Sequence, residues 1–243
     1  MAKGYLKIIL LLLILLILAG CQKQMQTPQK TCKGKESIDL SSAILNNRVA
    51  KLEAVSASGQ MNFKDFKGSK DIDENVDVTL RFVPPDKLYF YCSNLIGEIM
   101  RLGCNSQEFW LRIKPKDASS YWYGQKDVID SCQSQILLSP DNLTEVFGAV
   151  KVDQSYQLDG YDNYDILSKF DADGRLVKNI FVNRCDYLVR RIEYYGNGGN
   201  VVMFKLDKYV EYVPGVSFPS SIIADSYENG ALVRNINIKL SGI

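Results

Sequence analysis

The 243-residue sequence contains no histidine. That absence removes the commonest general base, the commonest metal ligand and the standard Ser-His-Asp triad together. It leaves cysteine- or Ser/Lys-based chemistry open. Neither sign of charge is in excess, with 29 Lys and Arg against 28 Asp and Glu. A near-neutral chain has no electrostatic footprint for nucleic acid, so no nucleic-acid partner is expected. Paired carboxylates, metal-ligand spacing and a phosphate-cradling loop are missing too, so the chain reads as a non-enzyme without cofactor or metal. Asp171-Ala172-Asp173-Gly174 has the opening of a calcium loop but not the downstream bidentate Glu. Long apolar runs are scarce. Ile8 to Leu18 has no polar side chain, but it is eleven residues long. At about 1.5 Å per residue it spans about half of a hydrocarbon layer roughly 30 Å thick. With Lys3 and Lys7 in front, it reads as the core of a secretion signal rather than a membrane span.

At the end of that run, Leu18-Ala19-Gly20-Cys21 resembles the bacterial lipobox. The resemblance implies that residues 1–20 are a signal peptide and that Cys21 is lipidated as the first mature residue. The alternative is an ordinary signal peptide with a cysteine just after the cut. Removal of residues 1–20 leaves 223 residues with 27 cations and 28 anions, ample for one core. Residues 21–35 read as a lipidated flexible tether, since 22–34 are polar with one Pro. Export places Cys32, Cys92, Cys104, Cys132 and Cys185 in an oxidising compartment. Their odd number leaves at least one unpaired within the chain, and their connectivity is open. Cys92 and Cys104 are close in sequence but out of register. If they flank one hairpin centred near Leu95 and Ile96, Cys92 faces Ile99. The offset is then roughly 17 Å, against the ~7 Å limit for bridged Cα atoms. Both read as buried thiols.

Along the rest of the chain, two periodicities alternate. Residues 37–55 have a helical stripe of Ile38, Leu45, Val49 and Leu52, widened by Ile44 and Val55. From Ser56 the period changes to two. Val76, Val78, Leu80 and Phe82 alternate with polar residues, as do Leu88, Phe90 and Cys92, then Met100, Leu102 and Cys104, then Phe109, Leu111 and Ile113. Asn94 to Gly97 form a turn between two of these runs, and Tyr121-Trp122-Tyr123 reads as another strand. Ser139-Pro140-Asp141 opens a second helix whose apolar face is Leu143, Val146 and Phe147. Strands resume after Lys151, punctuated by the turn sequences at 171–174 and 196–199. With no repeat and no internal linker, residues 36–243 read as one mainly β domain.

This order of elements resembles the LolA/LolB superfamily of periplasmic lipoprotein carriers and outer-membrane lipoprotein receptors. The local likeness is strongest at residues 87–105, a strand, turn and strand whose turn is Asn94-Leu95-Ile96-Gly97, with Leu95 where the receptors have Pro. Phe109-Trp110-Leu111 and Ile236-Asn237-Ile238-Lys239-Leu240 also fit. The resemblance implies a single antiparallel sheet curled into a half-open barrel, with an N-terminal helix and a helical lid. It further implies an apolar interior for the acyl chains of lipoproteins or lipids. Alternating strand residues assign its lining to Val78, Leu80, Phe82, Leu88, Phe90, Met100, Leu102, Phe109 and Leu111. The same residues also suit a plain packed core. Leu95 and Ile96 are expected as an exposed apolar loop that touches membrane or cargo, or else as a tip folded back on its sheet. A lipidated Cys21 favours the anchored receptor over the soluble carrier, which becomes its expected donor. Gln22 is not the inner-membrane retention residue Asp, so an outer-membrane anchor facing the periplasm is expected. The other function class is a structural or regulatory envelope lipoprotein that binds a protein partner.

Overall fold

The computed structural model describes residues 31–68, 71–114, 119–125 and 140–243; for 140 and 141 it describes the backbone alone. Cys21, the apolar run before it, Cys132 and Ser139 lie outside these residues. The first element is helix α1, Ile38–Ala50. Ser37 caps it by accepting a hydrogen bond from the Leu40 N–H, Asp39 lies in its first turn and Arg48 in its last. An acid at the start and a base at the end both suit the helix dipole. The helix is shorter than the stripe over 37–55 implies. Lys51 caps it, and Val55 opens the first strand, where it pairs with Phe82. A buried β-branched residue with a phenylalanine opposite is better placed in a sheet than in a frayed helical turn. Among the described residues no helix is long and apolar enough to cross a membrane.

Thirteen strands come after it: β1 Val55–Asp65, β2 Ile72–Val83, β3 Lys87–Asn94, β4 Gly97–Cys104, β5 Glu108–Ile113, β6 Ser120–Gln125, β7 Tyr156–Tyr161, β8 Tyr164–Phe170, β9 Leu176–Asn183, β10 Val189–Tyr195, β11 Val201–Val213, β12 Val216–Glu228 and β13 Ala231–Ser241. A short helix α2, Pro140–Val146, comes between β6 and β7. All thirteen join one antiparallel sheet in the order β6-β5-β4-β3-β2-β1-β13-β12-β11-β10-β9-β8-β7. Each hairpin pairs with its sequence neighbour, and the β1–β13 pair joins the two ends of the domain. Gly59 permits that join: a Cβ there would meet the Lys239 carbonyl oxygen at 2.0 Å. The sheet is not closed, since β6 and β7 are its two edges among the described residues.

The sheet is curled. Phe90 on β3 and Phe218 on β12 are four strand spacings apart, about 19 Å in a flat sheet. Phe147, in the turn after α2, places its ring centroid 6.3 Å from Phe90 and 6.2 Å from Phe218. Those two rings are therefore at most about 12.5 Å apart. Helix α1 covers the same side through Leu45 and Val49, which belong to one core with strand residues from both arms. Polar contacts fix its position. The Asn46 amide donates to the Val152 carbonyl at 2.8 Å and accepts from the Val152 N–H at 3.1 Å. Tyr187 donates to Ser41 at 2.6 Å, and Arg48 donates to the Tyr187 carbonyl at 2.6 Å.

Candidate functional site

The inner face of β2–β6 is built by register. Val78 pairs with Cys92, Cys92 with Met100 and Met100 with Ile113. Leu80, Phe90, Leu102, Leu111 and Trp122 form the next cross-strand row. Phe82, Leu88, Cys104 and Phe109 form the third. All nine residues assigned from strand alternation to an acyl-chain lining therefore share this one face. Their burial is graded. Leu80 and Phe82 are fully buried and Phe109 nearly so, while Met100 and Leu111 are half-buried at the margin of the core. Trp122, beyond Leu111 on the edge strand, is 53% exposed. The apolar face is thus sealed along β2–β3 and at Phe109, and opens at Met100, Leu111 and Trp122. Each side chain fully buried there contributes about 1.5–3 kcal/mol, so β2 and β3 are stability residues as much as lining.

Phe147 fills the sealed end. Its ring is stacked on Phe218, with 9° between the planes, and lies 6.5 Å from Phe82. Helical spacing makes Phe147 one of three face residues of α2; in the structure it is past the last helical residue and acts as a separate plug. Gly148, the next residue, reads in sequence as an end for this helix, and its positive φ of 97° agrees with a helix that stops at Val146. A compact polar cluster holds α2 in place. Lys178 bonds both carboxylate oxygens of Glu145 at 2.8 and 2.9 Å, and the Tyr194 hydroxyl donates to the same carboxylate at 2.6 Å. The Lys178 ammonium lies 5.3 Å from the Tyr194 ring centroid. Burial pushes the hydroxyl pKa of neighbouring Tyr156 upward, and Glu145 and Asp153 add to the shift. That hydroxyl stays protonated at neutral pH.

The cysteines divide as register dictates. Cys92 pairs with Met100 and Cys104 with Leu88, so no bridge joins the two. Simple hairpin counting puts Ile99 opposite Cys92. A bulge between Cys92 and Ser93 shifts the partner to Met100. Both thiols are buried, and burial pushes Cys92 up to about 12, far from a reactive thiolate. The Cys104 thiol donates to the Asp86 carbonyl. The disulfide is elsewhere, between Cys32 and Cys185, 153 residues apart. Beside it the buried Asp165 carboxylate accepts from the Lys35 N–H at 2.8 Å and from Arg184 Nε at 2.8 Å. The segment that leads into α1 is therefore clamped to the β7–β10 arm.

The β3–β4 hairpin tip is the second part of the site. Asn94 pairs with Gly97, which leaves Leu95 and Ile96 as the two tip residues. The Asn94 side chain accepts from the Ile96 N–H at 2.9 Å, and this bond shapes the turn. Leu95 and Ile96 are 106% and 94% exposed, so neither folds back on the sheet. The two acids of the 171–174 turn are occupied: Arg175 bonds Asp171 at 2.9 Å and Asp173 at 3.0 Å. Among the described residues no group of three His, Cys, Asp or Glu side chains is placed to hold a metal ion.

No family model matches the chain, and no curated protein matches it in sequence. Solved structures do. A domain assigned to outer membrane lipoprotein sorting from Vibrio parahaemolyticus is similar over 84% of this chain and 92% of its own, with TM-score 0.54 and 10% identity. A LolA superfamily protein from Nitrosomonas europaea is similar over 82% of this chain and 91% of its own, with TM-score 0.51 and 8% identity. A DUF1329 family protein from Desulfovibrio piger is similar over 84% and 90%, with TM-score 0.52 and 13% identity. At these identities the likeness is one of architecture, and it agrees with the strand pattern: this chain has a LolA/LolB-like fold.

Proposed function

We propose that this protein is a membrane-anchored envelope lipoprotein that binds acyl chains on the inner face of β2–β6 and receives or transfers lipoproteins or lipids without catalysis. The observation that carries the reading is the graded apolar face. It is buried at Leu80 and Phe82, half-buried at Met100 and Leu111, and ends in an exposed Trp122. Transfer needs no covalent step. Each methylene buried contributes about 0.8 kcal/mol, so a chain of roughly 16 carbons offers on the order of 10 kcal/mol. Lipidated Cys21 supplies the anchor. One acyl chain holds a protein to a membrane only marginally, so the several chains of a bacterial lipoprotein are required. The anchor is in the outer membrane, facing the periplasm, and a soluble carrier is the donor. Leu95 and Ile96 are the contact to membrane or cargo, because two fully exposed aliphatics at a tip contribute nothing to the core.

The test is mass spectrometry of lipids extracted from the non-lipidated 22–243 chain after mild purification. Stoichiometric acyl ligand is the expected result; repeated recovery of empty protein contradicts the reading. Changing Leu95 and Ile96 together to Asp should abolish transfer while moving stability by no more than about 0.5 kcal/mol. Loss of folding in that variant would make the tip structural. For the anchor, Cys21→Ser should give a product that no longer partitions into detergent.

A further inference from the structure

The other side of β2–β6 has a different chemistry. On this outer face, Tyr91, Arg101, Arg112 and Tyr121 form one cross-strand row. Trp110, in the adjacent row, lies across Gly103, where an added Cβ would meet the indole at 2.2 Å. Shallow clefts form between the side chains, one of about 500 Å³ among Arg101, Trp110, Arg112 and Tyr121, another of about 430 Å³ beside Arg81. The face carries acids as well, among them Glu108, which accepts from the Tyr123 hydroxyl, but two of its arginines stand apart from them. Arg101 and Arg112 are directly opposite each other, and like charges in that position destabilise a strand pair. Arg101 is compensated by Glu98 at 2.6 Å, a carboxylate shared with Lys114 at 3.4 Å. Burial alone would raise the Glu98 pKa, but Lys114 and Arg101 outweigh it and hold the carboxyl below its usual range, so it stays ionised. Arg81 and Arg112 meet no carboxylate among the described residues.

We propose that this outer face docks an acidic segment of a partner protein, with Arg81 and Arg112 taking its carboxylates and Tyr91, Trp110 and Tyr121 flanking them. Tyr, Trp and Arg are the residues that dominate protein–protein contact energies. A guanidinium donates two parallel N–H bonds to a carboxylate, a fork it also offers a phosphate, so an anionic membrane is the rival occupant that the test must separate. The opposed arginine pair costs stability in the free protein, and a bound acid relieves it. Such departures from local pairing rules are expected at functional positions. This surface is on the opposite side of the sheet from the apolar face, so the inference stands whether or not an acyl chain binds there.

The two tryptophans make the test direct, since Trp110 is on the outer face and Trp122 on the inner. A short labelled peptide alternating Glu and Val is titrated into the 22–243 chain, beside its Lys/Val counterpart and vesicles of phosphatidylglycerol. The acidic peptide should bind with salt-sensitive affinity and shift the Trp110 indole resonance while Trp122 stays in place. The Lys/Val peptide should not bind. Arg112→Gln should weaken binding about tenfold, the value of one charge-assisted pair, and at the same time raise the melting temperature of the free protein. Unchanged binding in Arg112→Gln overturns the proposal, and so does a Trp110 resonance that does not move. Vesicles that bind this face and displace the peptide would assign it to a membrane surface instead.

Discussion

The two arms of the sheet treat charge in opposite ways. In the β7–β10 arm each arginine meets a carboxylate: Arg175 with Asp171, Arg184 with Asp165, Arg190 with Asp186 and Arg191 with Glu193. The disulfide and the Glu145–Lys178 pair belong to that arm as well. In the β2–β6 arm, only Arg101 of three arginines meets an acid among the described residues. That arm also has the exposed hairpin tip and the half-exposed end of the apolar face. One arm thus pairs every one of its arginines with an acid, and its interactions hold α2 and the segment that leads into α1 in place. The other leaves Arg81 and Arg112 without a carboxylate among the described residues, and Leu95, Ile96 and Trp122 exposed. Satisfied networks rigidify a structure, whereas binding surfaces need groups that are left over.

The contrast between the arms breaks most visibly at Asp165. Its side chain is 2% exposed and holds both Arg184 and the Lys35 N–H. Asp165→Ala leaves a mostly buried guanidinium without its carboxylate, bonded among the described residues only to the Asp162 carbonyl, and should cost about 3 kcal/mol in urea unfolding. The matching change in the open arm, Arg81→Gln, should stay within about 0.5 kcal/mol. Equal losses in the two would end the distinction between the arms. Next is the disulfide. Cys185→Ser should cost about 2–4 kcal/mol, since the bridge closes a long loop in the unfolded chain. A smaller effect is expected from acid. The Arg175 N–H is the main cause that holds the Asp171 carboxyl below its usual range, and the Arg175 side chain adds to it. A carboxyl depressed in the folded state stabilises the protein above its unfolded pKa, about 3.9, and that contribution is lost as pH falls through the folded value. Asp171→Asn should therefore show a shallower fall in urea midpoint than the wild type between about pH 6 and about pH 3. An identical fall would exclude Asp171 as a source of the acid sensitivity.

Much of the open arm was legible because a period of two is hard to disguise. Once Leu80 and Phe82 face inward, pairing carries Phe90, Leu102 and Leu111 with them, and a slip by one residue would expose all of them. The features that were not legible depend on distant contacts. Nothing near Cys32 points to Cys185, 153 residues away. Val55 extends the helical stripe in sequence but belongs to β1, because its partner Phe82 is supplied by the next strand. Phe147 is apolar at helical spacing whether it lies on a helix or plugs a sheet, and only the curl that brings Phe90 and Phe218 together decides between them. The placement of Arg112 opposite Arg101 is visible only in register, since the two are eleven residues apart in the chain.

Acyl-chain binding on the inner face of β2–β6 is tested most directly by the two indole resonances of the ¹⁵N-labelled 22–243 chain during titration with a single-chain lysophospholipid. The predicted result is a saturable shift of Trp122, next to Leu111, with Trp110 unmoved on the other side of the sheet. A Trp122 resonance that stays fixed at saturating lipid, or a shift of Trp110 alone, would contradict it.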